Sequence, residues 1–152
     1  MSKDTASNFV ENILIILSNL PSGLRNSIIK NRLNEFNGFD QPEKREIINN
    51  ILKNYRKIER SKLLNLFESW LNSLCEMDNS YVNSIFNSYL FELYLNPQEL
   101  EEFDNSLILS LAKVLDDLPE IKREKLWNCF MEAILNTPDP KKFIKLIPSL
   151  NK

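Results

Sequence analysis

The chain of 152 residues contains no histidine. Ser-His-Asp and Cys-His nucleophilic machinery is therefore excluded, as are the metal sites that need imidazole, including the Glu-x-x-His pairs of helical di-iron bundles. Glycine is almost as scarce, with only Gly23 and Gly38. An all-β chain of this length needs many turn glycines, and a phosphate-cradling loop needs a cluster of them. The two cysteines, Cys75 and Cys129, form no Cys-x-x-Cys and are expected to be free, buried thiols. No long apolar stretch is present. Ile13 to Leu17 is the longest run and is far too short to span a bilayer. The Met-Ser-Lys-Asp start lacks a secretory pattern, so the expected location is cytoplasmic.

What is present is ordinary for a globular protein, with 43% hydrophobic and 26% charged residues. Helical spacing of apolar residues recurs along almost the whole length. A first helix is predicted from about Ser7 to Asn19, with Val10, Ile13, Leu14, Leu17 and Leu20 on one face. A second, near Leu24 to Phe36, turns Leu24, Ile28, Ile29, Leu33 and Phe36 inward and stops at Asn37-Gly38. Asp40, with Glu43 three residues on, caps a third helix carrying Ile47, Ile48, Ile51, Leu52 and Tyr55. A fourth, Ile58 to Cys75, follows with little or no loop, so that the third and fourth read as nearly continuous. A fifth runs from Asp78 or Asn79 to Leu95. Asn96-Pro97, with Glu99, is read as the cap of a short helix ending near Phe103. Asp104 or Asn105 opens the next helix, Pro119 another, and a last short helix spans Lys141 to Leu146 before a tail at Pro148.

The expected fold class is all-α: a single domain over residues 1–152, built as a compact bundle or short solenoid of seven to eight helices in antiparallel hairpins. Two internal likenesses point toward a degenerate helical repeat. Arg60 to Phe67 resembles Arg123 to Phe130, and Leu17-x-x-Leu20-Pro21-x-x-x-Arg25 resembles Leu115-x-x-Leu118-Pro119-x-x-x-Arg123. Aligned arginines at 25, 60 and 123 suggest units of 30 to 40 residues, with one copy shortened near Leu95 to Phe103. An irregular bundle explains the same residues.

Charge is unevenly spread although its net value is only −2. Residues 44–62 hold seven bases, Lys44, Arg45, Lys53, Arg56, Lys57, Arg60 and Lys62, against two acids. Residues 92–120 hold eight acids, Glu99, Glu101, Glu102 and Asp104 among them, against Lys113 alone. Such a distribution steers a charged partner or drives self-association. The leading functional expectation is a non-catalytic protein-interaction module, with a protein partner or a second copy, no cofactor, no metal and no catalytic residue. Lys44, Arg45, Lys53, Arg56, Lys57, Arg60, Glu99, Glu101 and Glu102 are its candidate partner-binding residues. The alternatives are nucleic-acid binding through the basic segment, which a pI near 5.3 disfavours, and a small-molecule or metal-binding enzyme using the acids of 92–120. The tyrosines Tyr81, Tyr89 and Tyr94, with Trp70 and Trp127, are expected in the core. A membrane-surface role for the first helix ranks last, because Lys3 is its only nearby base. Packing into the core accounts for Ile13 to Leu17 more simply.

Overall fold

A computed structural model describes residues 3–148, with side chains from Phe9 onward. The side chain of Lys3 lies outside the described residues. Every regular element among them is helical: α1 Lys3–Ser18, α2 Ser22–Asn37, α3 Gln41–Asn54, α4 Arg60–Cys75, α5 Asn79–Leu95, α6 Pro97–Glu101, α7 Asn105–Asp116 and α8 Glu120–Leu135. Two 3₁₀ segments, Tyr55–Lys57 and Pro140–Leu146, complete the order. The chain divides into two compact units, Met1–Ser73 and Leu74–Lys152.

Five of the connections are three residues long, and all five share one construction. The middle residue is apolar, and its amide donates to the carbonyl of a large apolar residue three positions back. The pairs are Leu20 to Leu17 (3.2 Å), Phe39 to Phe36 (3.1 Å), Met77 to Leu74 (3.0 Å), Phe103 to Leu100 (3.1 Å) and Leu118 to Leu115 (3.2 Å). The next residue is Pro or Asp in extended backbone (Pro21, Asp40, Asp78, Asp104, Pro119), and its carbonyl accepts the first bond of the following helix. Burial of the residue three positions back (Leu17, Phe36, Leu74, Leu100, Leu115) thus anchors the end of one helix, while a residue suited to a helix start opens the next. At Asp40 and Asp104 the carboxylate also accepts from the amides of Glu43 (2.9 Å) and Leu107 (2.8 Å). Asp104→Ala should lower stability by about 1 kcal/mol, read as a shift in the urea midpoint.

The α3–α4 corner follows the same scheme with an added 3₁₀ turn. Ile58 donates to Tyr55 (3.1 Å), and Glu59 accepts from Leu63 (2.8 Å). Ile58 is extended, at φ −89° and ψ 136°, so α3 and α4 are not continuous. With this corner included, the residues that open α2, α3, α4 and α5 are Pro21, Asp40, Glu59 and Asp78, spaced by 19 residues each time. Leucine recurs on the same spacing at 14, 33, 52, 71 and 90, and all five are buried. Leu17, Phe36, Tyr55, Leu74 and Leu93 do likewise. The spacing then changes to 26 and 15 residues, at Asp104 and Pro119, around the short α6. Arg60 falls at a different place in this frame from Arg25, whereas Arg25 and Arg123 each stand four residues after the proline that opens their helix.

In the first unit α1 packs on α3, and α2 is tied to α4 by hydrogen bonds. Arg25, buried, donates from Nε to Ser69 Oγ (2.7 Å) and from Nη1 to the Leu20 carbonyl (2.7 Å). Ser73 Oγ shares its one proton between the Ser69 carbonyl (2.9 Å) and, as the longer arm, the Asn26 carbonyl of α2 (3.4 Å). The expected inward face of α2 is therefore rotated. Arg25 takes the interior place assigned to Leu24, which is 52% exposed. In the second unit α5 and α8 form the principal pair, with Phe86 edge-on to Phe130 at 5.3 Å. Lys125 Nζ donates to the carbonyls of Cys75 (3.0 Å) and Met77, closing the C-terminal end of α4. Asn96 stands at the N-cap position of α6, and its carbonyl accepts from the Glu99 amide (2.9 Å), but its side chain does not cap that helix. Its amide turns back to the Glu92 carbonyl (2.9 Å) and so finishes α5. Of the aromatic residues expected inside, Tyr81 is exposed, and Trp70, Tyr89, Tyr94 and Trp127 are half-buried.

Desolvation raises the Tyr89 phenol above its ordinary value near 10. A raised folded-state value means that the unfolded chain ionises first as pH rises. Stability is retained below about pH 10 and falls above it. Tyr89→Phe is expected to flatten that alkaline decline in a pH series of melting temperatures.

Candidate docking face

The basic residues of 44–62 separate into two groups. Lys44 and Arg45 sit in the first turns of α3, while Lys53, Arg56, Lys57, Arg60 and Lys62 surround the α3–α4 corner. Nine helical steps, about 14 Å, separate Lys44 from Lys53. Several of these bases have internal roles. Lys44 lies over the Phe36 ring at 5.6 Å and Arg56 over that of Tyr55 at 5.9 Å. At the corner, Lys57 pairs with Glu11 of α1 (3.1 Å), and Lys62 donates to Asn19 Oδ1 (2.6 Å). Arg45, Lys53 and Arg60 are exposed.

The acidic candidates belong to the second unit. Glu99 is half-buried in α6, Glu101 ends that helix, and Glu102 follows it. Further along, Asp104 caps α7, Asp116 accepts from the Trp127 indole (3.1 Å), and Asp117 pairs with Lys113 (3.1 Å). Among the described residues no three Cys, Asp or Glu side chains are grouped so as to hold a metal ion. Both cysteines are free, and burial pushes both thiols up. No described helix is long and apolar enough to cross a membrane.

The feature that sequence reasoning missed lies on α1. Among the described side chains of this helix only Leu14, Leu17 and Ser18 are buried. Phe9 is 58% exposed, Ile13 37%, Ile15 40% and Ile16 59%, so of the run Ile13 to Leu17 only Leu14 and Leu17 are core residues. The signal was available in the sequence. A helix packed on one side covers an apolar stripe of about 100°, so five successive apolar residues cannot all turn inward. At about 100° per residue, Phe9, Ile13 and Ile16 fall within one narrow stripe. Asn12 lies among Phe9, Ile15 and Ile16 at the spacings i−3, i+3 and i+4. Between Phe9 and Leu24 the only charged residue is Glu11, and its carboxylate is engaged by Lys57.

The 19-residue frame explains what this stripe would meet. Ile16 corresponds to Glu35, Asn54, Ser73 and Glu92. Asn54, Ser73 and Glu92 are buried, and Ser73 of α4 touches the α2 backbone, two helices earlier. The same side of α1 faces solvent. Compared with family models, with curated proteins and with solved structures, the chain matches none.

Proposed function

We propose that the protein is a non-catalytic interaction module that docks another protein chain on the solvent side of α1, beside the basic α3–α4 corner. The observation that carries this reading is the exposure of Phe9, Ile13, Ile15 and Ile16 on one helix, with Ile16 at a position whose later counterparts Asn54, Ser73 and Glu92 are buried. A contiguous apolar patch on a helix is a recognition surface for a partner's apolar side chains. The bases at the adjoining corner supply steering toward an acidic partner.

The test is capture from a native lysate with tagged wild-type chain and with an Ile13→Asn/Ile16→Asn variant, each with and without nuclease. The expected result is a specific protein set, the chain itself included, that survives nuclease and is lost by the variant at an unchanged melting temperature. Equal capture by both forms would remove α1 from the docking face. Recovery that collapses under nuclease, and that weakens steeply with salt, would give first place to nucleic acid at the basic corner.

A further inference from the structure

We propose that the occupant of the α1 face is a second copy of this chain, docked α1 against α1 about a twofold axis that passes beside Asn12. The inference rests on the reading of α1 as a docking face. Its first support is charge. In an isologous interface a residue near the axis meets its own copy, so a charged group there faces its like. From Phe9 to Ser18 the only charged residue of α1 is Glu11, and it is taken up by Lys57 at 3.1 Å. The second support is the neighbouring helix. At the places in α2 that correspond to Ile13 and Ile16 stand Arg32 and Glu35, an exposed pair of opposite sign at 2.7 Å. A twofold operation on such a pair sets plus against minus. On the α2 side the rim is therefore self-complementary, and the stretch of α1 from Asn12 to Ser18 carries no charge.

The third support is chemical. The Asn12 amide both donates and accepts, so two copies can satisfy each other across the axis. A lone asparagine within an apolar helix seam fixes register and partner number. Phe9, Ile13 and Ile16, at i, i+4 and i+7, are the spacing with which one helix seats another. An antiparallel crossing also sets the two helix dipoles head to tail. An anionic membrane is the weaker occupant, because interfacial helices carry Lys and Arg on their polar face. Between Phe9 and Ser18, α1 has none.

The experiment is sedimentation of the purified full chain from micromolar to several hundred micromolar, in low and molar salt. It is paired with a photo-crosslinking residue in place of Asn12, used on pure protein and in lysate. The expected result is a closed dimer, no larger species, persistence in molar salt and a self-adduct through position 12. Ile16→Glu should weaken the dimer about 100-fold without changing the helical signal, and Ile16→Leu should preserve it. A monomer at every concentration, with an adduct to a different protein in lysate, would overturn the second copy and leave the docking face standing. A monomer with no adduct in either setting would remove both. Open-ended oligomers that dissolve in salt would also overturn the twofold. They would point instead to head-to-tail contact between the first unit, with eleven bases to eight acids, and the second, with eight to thirteen.

Discussion

Phe143→Ala is expected to destabilise the protein by about 3–5 kcal/mol, the largest loss from any single truncation considered. Phe143 has no solvent exposure, although it lies in the short 3₁₀ segment Pro140–Leu146 rather than in a long helix. The segment contacts α8, Ile147 beside it is buried, and Lys142 rests over the Tyr94 ring at 4.9 Å. Thr137-Pro138-Asp139-Pro140 restricts the backbone that delivers Phe143 to this place. Removing the ring forfeits its transfer free energy and leaves a void, because so short an irregular segment has few ways to close over the gap. The control is Ile144→Ala, at a position 39% exposed, expected to cost under about 1 kcal/mol. Urea unfolding of the two variants checks the contrast. An unchanged midpoint for Phe143→Ala would mean that the segment adds nothing to the second unit.

Arg25→Met should cost about 2–4 kcal/mol. The guanidinium is buried, and it joins the Leu20 carbonyl at the α1–α2 corner to the Ser69 hydroxyl on α4. Methionine keeps much of the apolar stem but leaves both oxygens without this donor. A buried acceptor deprived of its partner carries its desolvation cost unrelieved. Arg123 occupies the matching place after Pro119, yet it is half-buried and makes a longer bond, to the Asp116 carbonyl at 3.1 Å. Arg123→Met should therefore cost about 1 kcal/mol or less. Equal losses in the two variants would show that stem packing, rather than hydrogen bonding, sets the value of Arg25. Arg25→Lys should fall between, since a single ammonium cannot reproduce the forked geometry that reaches two elements.

The helices were largely legible in the sequence because their limits are local. Asp40 and Asp104 cap α3 and α7 through their own carboxylates, and prolines 21, 97 and 119 stand at helix starts. The 19-residue recurrence was also there to be read, in five leucines from Leu14 to Leu90. The arginine alignment obscured it by matching Arg60, one residue after Glu59, to Arg25, four after Pro21. Asn96 does stand at the N-cap of α6, and only the bond made by its side chain differs from the expectation. An asparagine between two helices can serve either one, and its side chain turned back toward α5.

The sequence by itself determined the all-α class, most helix boundaries and the apolar side of each helix, since all three follow from neighbours within a few residues. Only the tertiary structure decided which apolar residues are covered and which polar ones are enclosed. Periodicity states where a helix is apolar, but burial depends on how many other helices stand beside it. The buried Ser73 of α4 has α2 against it, and the stripe on α1 faces solvent. The exposed Ile16 and the buried Arg25 follow from that packing, which no local pattern encodes.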